Sequence, residues 1–186
     1  MAQRLAVTPF LTGDPLRLEG VTSLSGLLAA LGLGAAEQAT LLALGPRVAL
    51  VFRGLDGVGP VSLRWVNLPA AQALDTTGGP ADVAIVLMAG LRDSGTALGL
   101  AGRLRAGLRN TALFQRAAAA ATREELVAVL GALDESPSES PLSGDEVLGL
   151  LGSGRAGLAA AEAARDRKST RLNSSHIQKS RMPSSA

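Results

Sequence analysis

The chain has 186 residues, enough for one domain of ordinary size and part of another. Hydrophobic residues make up 47% and aromatics 2%, so a core must be built from Leu, Val and Ala; with no cysteine, disulfide scaffolds, thiolate metal sites and cysteine nucleophiles are excluded. The formal charge of +2 is carried by the last stretch, where five Lys/Arg and one acid follow Arg165; that leaves −2 for residues 1–165, and nucleic-acid binding has no basic, aromatic-interleaved patch to rest on.

Residues 1–15 read as an irregular or extended start, with Leu5-Ala6-Val7 as a possible short strand. The opening MAQRLAVTPF has no apolar signal region, and no apolar run reaches the roughly 18–20 residues of a membrane span, so the expectation is a soluble cytoplasmic protein without membrane insertion. Residues 23–33 (SLSGLLAALGL) carry leucines at helical spacing, Ser23 or Ser25 can cap the first turn, and Gly32 and Gly34 suit the end. Residues 36–44 read as a second short helix, Gly45-Pro46 as a turn, and residues 47–52 as a strand that ends at Phe52. Residues 53–60, with three glycines, Asp56 and Pro60, read as a loop.

Residues 61–66 alternate as a half-buried strand, with Trp65 as a core or core-edge anchor rather than a ligand contact. Residues 74–80 (LDTTGGP) are turn chemistry, and residues 82–89 (DVAIVLMA) are a continuous apolar run that suits a central strand buried on both faces. Residues 96–108 read as an amphipathic helix with Leu98, Leu100, Leu104 and Leu108 inward and Arg103, Arg105 and Arg109 in solvent. A short helix follows over 110–121, then a capping box at Thr122–Glu125 opens a helix that runs to about Leu133. The domain is therefore expected to span 1–134 as an α/β unit with a mixed β-sheet flanked by helices. An acidic Ser/Pro-rich linker follows over 135–145, and 146–165 reads as the start of a further domain.

Residues 166–186 (DRKSTRLNSSHIQKSRMPSSA) change abruptly to Ser, Lys and Asn and have no periodicity, which predicts a disordered tail. Residues 166–176 and 180–186 also resemble the in-frame translation of a short-read sequencing adapter, with 177–179 where its variable index falls. On that reading the natural sequence runs on past Arg165, and the tail carries no functional meaning.

Catalytic chemistry is hard to place. The only histidine is His176, so a Ser-His-Asp or Cys-His arrangement is not available to residues 1–165. No His/Asp/Glu cluster has metal-ligand spacing, and no cofactor is implied. The glycines at 31–34 do not follow a strand, and Gly54-Leu55-Asp56-Gly57-Val58-Gly59 lacks the lysine of a phosphate-binding loop. Asp56, Asp75, Asp82 and Asp93 stand at turns or strand starts, where capping is the expected role.

The stretch 37–52 (EQATLLALGPRVALVF) resembles the IIA domain of the fructose/mannitol type from the bacterial phosphoenolpyruvate-dependent sugar phosphotransferase system, above all the IIA part of fructose diphosphoryl-transfer proteins. Glu37-Gln38, Thr40, Leu44-Gly45 and Ala49 fall on the family pattern without a gap. The run 82–89 resembles its central strand, Ala97-Leu98-Gly99-Leu100 its His-Leu-Gly-Leu helix start, and residues 121–126 its closing helix.

The resemblance covers about residues 1–134. It places the family's phosphorylated histidine at Phe52 and its second histidine at Ala97. Neither side chain can hold or assist a phosphoryl group, so the resemblance implies no catalytic residue here and leaves open whether the chain is an enzyme. It implies a phosphocarrier protein and a sugar-specific IIB component as partners. Two functions follow: a component of the sugar phosphotransferase system whose IIA-like domain cannot carry phosphate itself, or a non-catalytic binding or regulatory module with a IIA-like fold.

Overall fold

The computed structural model describes residues 5–34, 39–55, 60–135 and 142–150. Its strands are β1 (Leu16–Arg17), β2 (Ala39–Gly45), β3 (Val48–Leu55), β4 (Ser62–Asn67), β5 (Leu74–Thr76), β6 (Gly79–Ala81) and β7 (Val83–Gly90). Its helices are α1 (Leu24–Ala30), α2 (Ser94–Leu108), α3 (Thr111–Ala119), α4 (Arg123–Glu135) and α5 (Gly144–Leu150). Five strands form one mixed sheet in the order β1-β4-β7-β3-β2, and β5 and β6 form a separate ribbon. The predicted α/β class, with helices flanking a mixed sheet, is what the chain adopts.

The sheet is built around β7. It runs parallel to β3, from Val48↔Val83 to Leu55↔Gly90, and antiparallel to β4, from Ser62↔Met88 to Asn67↔Val83. A strand with neighbours on both edges and helices over its faces has no solvent side, which is why VAIVLMAG is apolar without alternation. Its side chains still divide between two cores by parity. Val83, Ile85, Leu87 and Ala89 join the core under α2, α3 and α4, while Ala84 and Val86 join the smaller core under α1. Trp65 is 2% exposed in the larger core and donates its indole N–H to Asn67 Oδ1 at 3.0 Å, so the anchor role expected of it holds.

The second helix expected over 36–44 is not formed. Residues 39–45 are the edge strand β2, paired antiparallel to β3 with Ala39↔Arg53, Thr40↔Phe52, Leu41↔Val51 and Leu42↔Leu50; residues 35–38 lie outside the described region. Leucine favours a helix over a strand by only a few tenths of a kcal/mol per residue. That preference yields to a ladder along the open edge of β3, in which Leu42 and Leu44 reach the larger core and Ala39 and Leu41 the smaller one. The strand expected over 47–52 is also longer. Arg53, Gly54 and Leu55 continue the ladder opposite Met88, Ala89 and Gly90, so Phe52 lies within β3 and not at its end.

The N-terminal segment is held from a distance. Leu5-Ala6-Val7 is not a strand; Thr8–Phe10 forms a 3-10 turn, and β1 pairs parallel with β4. Asp134 sits in the last turn of α4, which runs on into Glu135, the first residue of the expected linker. The Asp134 carboxylate accepts from the backbone N–H groups of Val7 at 2.5 Å and Thr8 at 3.3 Å, and from the Thr8 hydroxyl. The capping box of α4 is present: Glu125 N–H donates to Thr122 Oγ1 at 3.2 Å, and Glu125 Oε2 accepts from Ala121 N–H at 2.8 Å.

The arginines of α2 correct a second expectation. Arg109 is exposed, but Arg103 is 2% and Arg105 7% exposed. Arg103 donates through Nη2 to the carbonyl of Leu133, an orphan acceptor at the end of α4. Helices α2 and α4 meet closely at Gly107, where an added Cβ would stand 2.8 Å from Leu133 Cδ1 and 2.9 Å from its Cγ. Leu133 is itself buried and cannot swing away.

Gly107→Ala therefore separates two effects of opposite sign. Helix propensity alone favours alanine by about 1 kcal/mol. Overpacking against Leu133 opposes it by about 1–3 kcal/mol. Urea unfolding is expected to show a net loss of stability; a gain would mean that α2 and α4 do not approach as described.

Candidate functional site

The parallel pair β3 and β7 sends both chains toward the same end of the sheet, and α2 starts directly beyond it, after a 3-10 turn at Leu91–Asp93. Crevices at the carboxyl ends of parallel strands are the usual ligand position in open α/β sheets. Phe52 lies on β3 opposite Thr40 and Leu87, half-buried against the larger core. Ala97 is 3% exposed in the first turn of α2 and belongs to the same cluster. The two positions that the resemblance assigns to histidines thus lie on one face of the sheet, in one apolar core.

The neighbours supply no histidine in their place. Arg53, next to Phe52, points to the opposite face and donates from Nε to the carbonyl of Leu33 at 3.1 Å, just beyond α1. Asp93 precedes α2 but makes no side-chain cap bond. Among the described residues there is no histidine, and no group of three or more His, Cys, Asp or Glu could hold a metal ion. Residues 56–59, including Asp56, and His176 lie outside the described region. A phosphoryl group needs a nucleophile and donors for its charge, and Phe52 and Ala97 supply neither.

The charged residues gather at the other end of the sheet. Asp82, expected to cap a turn, accepts from Arg47 Nε at 3.1 Å and from its Nη2, across the entry to β3 and β7. This ion pair raises the pKa of the already cationic Arg47, first through the hydrogen bonds and then through charge. Nearby, the turn at Gly45-Pro46, Arg105, Arg109 and Glu146 line an open cleft of about 440 Å³.

Arg105 Nη1 donates to Glu146 Oε2 at 2.8 Å, its Nη2 to Oε1, and Nη2 also to the carbonyl of Ala43 at 3.3 Å. Glu146 belongs to α5, which this fork pins against β2. Ser143 supplies a reciprocal cap: its N–H donates to Glu146 Oε2 at 2.7 Å, and its Oγ accepts from Glu146 N–H at 3.3 Å. The hydrogen bonds from Arg105, aided by Ser143 and opposed by burial, pull the Glu146 carboxyl down to about 2. The Ser-x-x-Glu spacing at 143–146 is the sequence signal that marks this helix start.

No protein-family model and no curated protein matches the chain. Among solved structures, the nitrogen regulatory protein IIA-Ntr from Neisseria meningitidis is similar, with a TM-score of 0.51 and 16% identity over 68% of this chain and 96% of that one. At that identity the likeness concerns the fold: the chain has a IIA-like fold of the phosphotransferase system.

The Glu146 carboxyl lies below its ordinary value in the folded state, so docking of α5 is stabilised above pH 4.5 and loses that support as pH falls toward about 2. Amide NMR of α5 is expected to show release across that window, and Glu146→Gln is expected to release it at neutral pH with the rest of the fold intact. A helix that stays docked in the variant would show that Arg105 does not hold it.

Proposed function

We propose that the domain works as a non-catalytic docking or regulatory module with a IIA-like fold, partnering proteins of a phosphotransferase relay without carrying the phosphoryl group itself. The observation that carries this reading is that Phe52 and Ala97 both belong to the larger apolar core, at the positions where the resemblance expects two histidines. The similar solved structure is named for nitrogen regulation and not for sugar transport, which favours a regulatory role over a transport step. The half-buried ring of Phe52 suits contact with a protein partner better than contact with an anion. No helix among the described residues is long and apolar enough to cross a membrane, in keeping with a role in the cytoplasm.

A second reading rests on the sequence after Glu135. The acidic Ser/Pro-rich stretch expected as a linker over 135–145, of which 136–141 lie outside the described residues, suits a fructose-type phosphotransferase chain whose histidine-bearing carrier domains follow. Long-read sequencing through the codon for Arg165 distinguishes the two: an open frame into a histidine-bearing domain supports the second reading, and a nearby stop codon the first.

The direct test of the proposal is phosphoryl transfer. Incubated with a phosphorylated carrier protein, the full chain is expected to show no added phosphoryl group by intact-mass analysis. Its amide signals on β3 and α2 are expected to shift as the carrier is titrated in. A phosphoryl adduct on residues 1–135 would overturn the non-catalytic assignment, and unchanged spectra would overturn the docking role.

A further inference from the structure

Arg105 is a buried cation whose carboxylate partner comes from beyond the last helix of the α/β unit. It stands on α2 and is 7% exposed with α5 in place. Among the described residues up to Glu135, its guanidinium has one hydrogen bond, to the carbonyl of Ala43 at 3.3 Å. The fork is filled by Glu146, with Nη1 on Oε2 at 2.8 Å and Nη2 on Oε1. A guanidinium in such a place that loses its carboxylate leaves an uncompensated charge, one of the more damaging defects a fold can carry. The position calls for a carboxylate, whichever segment supplies it.

The chain's own segment displays what this place accepts. Leu142 packs against the larger core, Ser143 caps the start of α5 through its N–H and its hydroxyl, and Glu146 reaches the fork. An apolar anchor, a serine cap and a glutamate within five residues form a compact peptide ligand with one bidentate carboxylate. Beside the fork, the open cleft of about 440 Å³ extends past the Gly45-Pro46 turn to exposed Arg109. Its lining has two arginines and one acid, and that acid is Glu146. Once α5 leaves, the same surface carries two positive charges and no negative one, which is complementary to an acidic segment.

The segment arrives on a tether, since α4 ends at Glu135 and α5 begins at Gly144. A short tether holds its ligand at an effective concentration in the millimolar range, so occupancy does not require high intrinsic affinity. A contact of that kind is open to competition.

We propose that α5 is a displaceable internal ligand, occupying a peptide site on α2 and β2 that otherwise takes a Leu-Ser-x-x-Glu segment of an acidic protein partner. The incoming glutamate replaces Glu146 on Arg105, Arg109 adds attraction at the rim, and α5 swings away while the sheet and its other helices stay folded. The Phe52 surface takes no part, so this site stands or falls independently of the docking role proposed above.

A synthetic peptide with the sequence of residues 142–150 (LSGDEVLGL), titrated into the full chain and followed through the amide signals of β2 and α2, tests the assignment. In the Glu146→Gln chain, whose own α5 no longer fills the fork, the peptide is expected to bind saturably. It is expected to bind the wild-type chain about tenfold more weakly or worse, because the tethered copy competes. The peptide carrying Glu146→Gln is expected to bind neither chain. Arg109→Glu, added to the Glu146→Gln chain on an exposed side chain, is expected to weaken the peptide severalfold. The proposal is overturned by α5 amides that stay docked in Glu146→Gln, by no saturable binding to that chain, or by equal affinities for the two chains. It is likewise overturned by binding of the glutamine peptide, or by inorganic phosphate shifting the same signals at lower concentration than the peptide.

Discussion

The fold depends on a strand with no solvent-facing side. Val83–Gly90 is paired along both edges and covered on both faces, so each of its side chains belongs to one of two cores. That requirement fixes the rest of the sheet. The ladder to β3 has the full length of β7, which carries β3 past Phe52 to Leu55 and draws 39–45 onto the outer edge as a strand. The short turn after Gly90 then sets α2 across the larger core, where Ala97, Leu100 and Leu104 meet it.

Arginine supplies the polar fastening of this apolar frame. Residues 1–165 contain no lysine, and arginine serves buried positions better because its flat fork meets several acceptors at once. Arg103 reaches the end of α4 and Arg105 reaches both β2 and α5, each from inside a helix packed on the sheet. Long aliphatic stems let these side chains lie within the packing while their heads meet carbonyls and a carboxylate at its margin. Asp134 does the same for the N-terminal segment, so the fold is closed by side-chain bonds to backbone as well as by apolar contact.

The two ends of the sheet have opposite character. Toward the carboxyl ends of β3 and β7, Phe52 of β3 and Ala97 of α2 belong to the larger apolar core. The opposite end collects Arg17, Arg47 and Asp82. Among the described residues neither end holds a histidine.

The sequence by itself determined the class and the centre of this protein. The unbroken apolar run at 82–89 was the best candidate for a strand covered on both faces, and it is β7. Ser23 or Ser25 and Thr122 marked the starts of α1 and α4, where Ser23 and Thr122 accept from first-turn amides. The absence of histidine before position 176 removed the expected nucleophile without any coordinates.

Tertiary structure decided the ambiguous pieces. The leucines of 39–45 suit a helix and a strand almost equally, and only the open edge of β3 made them a strand. Arg103 and Arg105 sit at helical spacing like surface residues, and only the carbonyls of Leu133 and Ala43 and the Glu146 carboxylate drew them inward. A cleft at the entry to β3 and β7 was invisible for the same reason: it joins residues from three strands and a helix, which no local segment brings together.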